Sequence, residues 1–152
     1  AFRSLPDDMK ATLIFMGEGD QRMSMEKVVK EEQLSHVIFT GFINQSQVSE
    51  LYSIADLFVM CSGQGETWGL STNEAMNFGL PVIVSDETGN ASDLVNGNGF
   101  IFRTNDIDDL RACLLTILNA DTETKQAMSN QSIDIVNKYS FEQIALGLSS
   151  IG

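Results

Sequence analysis

Short apolar runs alternate with longer stretches of helical spacing over the first two thirds of the chain. "ATLIFMG" (11–17), "HVIFTG" (36–41), "DLFVMCS" (56–62), "PVIVSD" (81–86) and "GFIFR" (99–103) each read as a strand. They are nearly continuous in Val, Ile, Leu and Phe, the pattern of parallel strands covered on both faces. Between them, 20–34 places Met23, Met25, Val28 and Val29 at helical spacing, and 46–54 does so with Val48, Leu51 and Tyr52. Ser46 is the expected N-cap of the second of these helices. Residues 70–78 read as a short third helix and 91–95 as a helical turn. After residue 103 the spacing is helical only: 105–119, with Asn105 or Asp106 as cap, then 122–139 and 140–151. Strand–helix alternation predicts an α/β fold, a Rossmann-like parallel sheet flanked by helices and joined by right-handed crossovers.

Ligands of such sheets sit at the carboxyl ends of the strands. The loops to consider are therefore 17–20, 40–45, 61–71 and 85–93. "GEGD" begins like a dinucleotide fingerprint, but the third glycine would fall at Arg22, so that reading fails. Gly17 and Gly19 serve a tight strand-to-helix turn, or a close approach of backbone to a ligand. The stretch from 61 to 76 carries more. Gly63, Gly65 and Gly69 precede a helix whose first amides, from Gly69, Leu70 and Ser71, point outward with a partial positive charge. Glu66 stands in the loop and Glu74 lies about one turn into the helix. Carboxylates there can accept hydrogen bonds from the vicinal hydroxyls of a ribose or hexose. The plainer alternative is that Glu74 complements the helix dipole and Glu66 is solvated.

Composition narrows the classes. The chain has 152 residues, 43% of them hydrophobic, which suits one compact domain. A net charge of −12 argues against nucleic-acid binding, which needs clustered cations. No Lys or Arg lies between Lys30 and Arg103, so phosphates bound by the 61–76 stretch would depend on amides and a helix dipole, or on cations from elsewhere. A single histidine, His36, leaves little for a zinc site or a His-based dyad, and it reads as structural or surface-exposed. Cys61 and Cys113 read as buried free thiols. No apolar run reaches the ~18 residues of a membrane span. The opening "AFRSLPDDMK" lacks an initiating Met and reads like the tail of a helix, which suggests a fragment of a longer protein.

"CSGQGETWGLSTNEAMNFGLPVIVSD" resembles the Glu-x7-Glu signature of the retaining glycosyltransferases of family 4, also called group 1, which have the GT-B fold. "LIFMGEGD", "VIFTGF", "LYSIADLFVMCS", "GNASDLVNGNGFIF" and "YSFEQIA" fall in that family's order, over about residues 11 to 145. The resemblance implies a donor-binding domain truncated at its amino-terminal edge. Its first strand and helix, with a diphosphate-neutralising Arg and Lys, and the amino-terminal acceptor-binding domain would be missing. Glu66 would contact donor-sugar hydroxyls at the catalytic centre and Glu74 the ribose hydroxyls. Leu70 and Ser71 amides would meet the diphosphate, Phe42 and Ile43 would pass the nucleobase, and Gly17 and Gly19 would line the same cleft. Thr67-Trp68-Gly69 and "TGNASD" depart from the family's usual residues, and Trp68 is expected to pack under its loop.

The implied reaction moves a sugar from a nucleoside diphosphate, UDP- or GDP-linked, to a hydroxyl of a glycan or lipid-linked acceptor, with retention and with neither cofactor nor essential metal. The implied setting is bacterial polysaccharide synthesis in the cytoplasm, compatible with peripheral association of the full-length enzyme at the inner membrane face. Exposed apolar faces of the tail helices would allow a dimer of the fragment. Competing classes are a nucleotide-sugar epimerase or phosphorylase of the same fold and a non-catalytic nucleotide-binding module. A phosphoacceptor receiver domain needs a lysine ending a late strand, and there is none between 31 and 124.

Overall fold

The computed structural model describes residues 1–6, 8–63, 69–89 and 91–139. A 3-10 turn at Phe2–Ser4, ending in extended backbone at Leu5, replaces the expected helix tail. The elements that follow are β1 (Leu13–Phe15), α1 (Arg22–Glu31), β2 (Val37–Phe39), α2 (Gln45–Ile54), β3 (Phe58–Met60), α3 (Leu70–Asn77), β4 (Val82–Ser85), α4 (Ala91–Leu94), β5 (Gly99–Phe102), α5 (Ile107–Leu118) and α6 (Thr122–Asn137). All five predicted strands are present, shorter than the apolar runs that announce them. The helix expected over 140–151 lies outside the described residues.

The chain divides into two compact units, residues 1–53 and 54–152. Each holds its own parallel ladder: β1 with β2 in the first, and β3–β4–β5 in the second. The α/β class with parallel strands flanked by helices is as the sequence predicts; alternation alone does not say which strands are neighbours within a ladder.

In the first unit, Leu13 pairs with Val37 and Phe15 with Phe39, and the two phenyl rings stack with centroids 5.0 Å apart. Neither strand buries a side chain fully, α1 buries none, and Ile38 is 50% exposed. The runs that read as doubly covered strands are here only half covered. At the start of α2 the Asn44 carboxamide oxygen accepts from the Gln47 amide at 3.0 Å, while the Gln47 side-chain oxygen accepts from the Asn44 amide at 3.1 Å. This reciprocal capping box makes Asn44 the cap and not Ser46, whose hydroxyl lies inside the first turn and donates to Asn44.

The second unit holds the core. All four residues of β4 are buried, and Val82 and Val84 pack with Met76 of α3, Leu94 of α4, and Ile135 and Val136 of α6. A buried polar network ties α6 to this layer. The fully buried Asn98 donates to Leu94 O at 3.0 Å and to the Ser132 hydroxyl at 3.2 Å, and Ser132 donates onward to Leu80 O at 2.7 Å. α5 and α6 carry the expected kind of start: Asp106 caps the first through the Asp109 amide, and Asp121 caps the second through the Thr124 amide. Cys113 is buried as expected. Cys61 is exposed, because β3 ends at Met60 and leaves it beyond the carboxyl end of the strand.

Gly99 opens β5 beside Val82, and a Cβ there would run into the Val82 carbonyl. The obstacle is backbone in the buried central strand. Gly99→Ala is therefore expected to destabilise by roughly 1–3 kcal/mol or more, the cost of overpacking a rigid interior. Urea unfolding of the two proteins measures it, and equal stability would contradict this placement of β5.

Candidate functional site

The carboxyl ends of β3, β4 and β5 are laced together. The Ser85 hydroxyl, at the end of β4, donates to Ser62 O just past β3 and lies 2.8 Å from the Thr88 hydroxyl. The Asp86 carboxylate accepts from the Thr104 hydroxyl at 2.6 Å and the Thr104 amide at 2.9 Å, which binds the end of β4 to the end of β5. Those two bonds, the hydroxyl's first, hold the Asp86 carboxyl below the usual aspartate range. Asp109 of α5 accepts from the Arg103 amide at 2.8 Å, so the Asp108-Asp109 pair belongs to a helix start. At Gly63 a Cβ would stand 3.6 Å from a Glu87 carboxylate oxygen, so this acidic side chain borders the entry to the 63–69 loop.

α3 opens at the same edge. Its N-cap is Gly69, buried, with φ 62° and ψ 56°, a left-handed conformation that favours glycine. With no side chain, Gly69 caps nothing; its carbonyl accepts from the Thr72 amide at 2.9 Å. The Leu70 amide has no hydrogen-bond partner among the described residues, and the Leu70 side chain is 68% exposed. Ser71 and Glu74 are half-buried, and Glu74 is the fifth residue of the helix. The structure thus gathers Gly69, Leu70, Ser71 and Glu74 within little more than one turn. Glu66 and Trp68 fall in 64–68, outside the described residues.

The other named residues belong to the first unit. Gly17, with φ 96°, donates to Gly41 O at 3.2 Å and to the Thr40 hydroxyl at 3.3 Å, locking the loops after β1 and β2 to each other. Gly41 has φ 70°, and a Cβ on it would lie 2.9 Å from the Arg22 guanidinium and 3.0 Å from the Glu18 carboxylate. Phe42 follows, 85% exposed, and Ile43 is half-buried. Gly19 has open space around it and no left-handed φ, so nothing local demands glycine there.

Two features escaped the sequence reading. Arg22, considered only as the residue that spoils a fingerprint, donates to Glu26 at 2.7 Å and to Glu18, and lies against Gly41. Its hydrogen bond with Glu26, reinforced by the charges of Glu18 and Glu26, raises its pKa further. The second is Thr72, fully buried, whose hydroxyl has no hydrogen-bond partner among the described residues; the Asn73 side-chain oxygen is in the same state. Helical periodicity puts Thr72 on the face of Ala75 and Met76, and a polar residue in an apolar stripe was the available signal.

Residues 1–134 match the family model described as "Glycosyl transferases group 1". The chain is 31% identical over 135 residues to the sulfoquinovosyl transferase SQD2 of Arabidopsis thaliana, covering 86% of this chain and 25% of that one. Among solved structures it resembles the sucrose-phosphate synthase of Thermosynechococcus elongatus, with TM-score 0.78 and 27% identity over 92% of this chain and 37% of the other. It also resembles Anabaena HepE, solved in complex with UDP-glucose, with TM-score 0.74 and 26% identity over 91% and 41%. The chain therefore spans well under half the length of each of these relatives.

The Asp86–Thr104 bonds generate a pH-dependent stability. Asp86 titrates lower in the folded protein than in the unfolded chain, so its contribution is present above the unfolded value, about pH 4, and is lost as pH falls through the folded value. Asp86→Ala should be less stable than the wild type near neutral pH, and the gap should close as the pH drops below the ordinary aspartate range. Urea unfolding across that range tests it; a gap independent of pH would contradict the ionic character of the clamp.

Proposed function

The chain belongs to the group 1 glycosyl transferases, and on that premise we propose that it is the donor-binding domain of a retaining enzyme. The reaction moves a sugar from a nucleoside diphosphate to an acceptor hydroxyl of a glycan or lipid-linked molecule. The observation that carries this reading is the start of α3. A left-handed glycine without a side chain leaves the Leu70 amide with no partner among the described residues at the carboxyl edge of a parallel sheet, with Glu74 about one turn further on. Amides so placed suit a diphosphate.

In this assignment Gly69, Leu70 and Ser71 hold the diphosphate and Glu74 the ribose hydroxyls. Glu66 meets the donor sugar at the reacting centre. Backbone groups of Phe42 and Ile43 pass the nucleobase, with Gly17 and Gly19 along the same loops. Negative charge grows on the diphosphate as the glycosidic bond breaks, and preorganised amides stabilise it without reorganising. No resident cofactor takes part. The UDP-glucose complex of the Anabaena relative supports a uridine diphosphate sugar as donor, with a guanosine diphosphate sugar second.

The same reading makes these residues part of a longer polypeptide that adds a strand beside β1, diphosphate-binding cations, and an acceptor-binding domain. The half-exposed faces of β1 and β2 support further covering by such a polypeptide, since parallel sheets are covered on both sides. Amide exchange at Leu13–Phe15 should slow when the preceding segment is present; equal protection with and without it would contradict the added strand.

For the full-length protein, Glu74→Ala should weaken UDP binding about tenfold or more, as loss of hydrogen bonds to a charged acceptor does. Glu66→Ala should lower transfer by about a hundredfold or more with nucleotide binding retained. Calorimetry and a transfer assay that resolves the anomer measure both. Wild-type behaviour of both variants, or epimerisation of the free nucleotide sugar in place of transfer, would contradict the assignment.

A further inference from the structure

We infer that the Thr72 hydroxyl is a further binding group of the α3 site, donating a hydrogen bond to an anionic oxygen of the nucleoside diphosphate; this rests on the donor-site reading above. Thr72 is fully buried and its hydroxyl has no hydrogen-bond partner among the described residues. A buried hydroxyl left in that state costs stability that an isosteric valine would not. Position says where it is aimed. Thr72 is the third residue of α3, and side chains on a helix tilt toward its amino terminus. From the third position a side chain reaches back to the helix start, as the closing residue of a capping box does. In this helix Gly69 provides no capping side chain.

The place of the helix agrees. Thr72, Ala75 and Met76 are the buried residues of α3, whose neighbours are β3, β4 and α6. The start of α3 follows the β3 strand at the carboxyl edge of its ladder, where open parallel sheets bind ligands. Ser85 and Thr88, the other buried hydroxyls at this end of the sheet, satisfy each other. Thr72 does not share in that pairing, and its own amide is committed to Gly69 O. What it has left to offer is an O–H donor. Asn73 differs in chemistry: its orphan atom is an oxygen, which accepts and does not donate.

The test is UDP titration by calorimetry, with GDP alongside, on the full-length wild type, Thr72→Val and Thr72→Ser, together with urea unfolding of each without nucleotide. Thr72→Val should be at least as stable as the wild type yet bind the nucleotide about tenfold or more weakly, the share of a hydrogen bond to a charged oxygen. Thr72→Ser, which keeps the donor, should bind close to wild type. Unchanged affinity in Thr72→Val overturns the inference and leaves the donor-site reading standing. Lower stability of Thr72→Val without nucleotide also overturns it, because the hydroxyl then has an internal partner such as a buried water. Failure of the wild type to bind either nucleotide sinks the donor-site reading itself, and the role of Thr72 with it.

Discussion

Every side chain of β4 is buried, so its backbone amides and carbonyls have no water to turn to and must pair within the sheet. They do so on both edges, in parallel, with β3 and with β5. Parallel pairing has a geometric consequence. Each strand must be followed by a crossover, so the carboxyl ends of neighbouring strands, and the starts of the helices they feed, collect on one edge. Ser62, Ser85, Thr104 and the opening of α3 stand on that edge for this reason. The Ser85–Thr88 and Asp86–Thr104 bonds then tie the strand ends together, so that the helix start is presented by a braced platform.

The first unit solves a related problem with fewer resources. Its two strands have no fully buried side chain between them. The loops after them are nevertheless locked, by the Gly17–Gly41 pairing, by the Thr40 hydroxyl and by the Arg22 guanidinium resting on Gly41 between two carboxylates. Phe42 projects into solvent from backbone held on several sides. Each unit has a glycine with positive φ at a turning point: Gly41 after β2 in the first, and Gly69 at the start of α3 in the second.

Much of this was legible in the sequence because hydrophobic runs bounded by Gly, Pro and Asp mark buried strands well. All five strands and the spans of α1 to α6 lie where periodicity put them. What local pattern does not encode is pairing, such as the central place of β4 between β3 and β5. Capping at α2 was misplaced by two residues, because a hydroxyl at Ser46 looked as good a cap as the carboxamide at Asn44; only the reciprocal partner, Gln47, separates them. Cys61 was expected inside because its neighbours are apolar, yet the strand stops one residue earlier. That Leu70, Ser71 and Glu74 open a helix was readable from glycine placement and helix spacing. Thr72 and Arg22 were not, since their significance depends on what their polar atoms meet, or fail to meet, in three dimensions.

The central claim is that α3 begins at an anion site whose ligand is a nucleoside diphosphate. A crystal structure of the full-length protein with UDP examines it most directly. The account expects the diphosphate within hydrogen-bonding distance of the Leu70 and Ser71 amides and the ribose hydroxyls on Glu74. A nucleotide bound away from the start of α3, or with its ribose and not its phosphates at those amides, would contradict it.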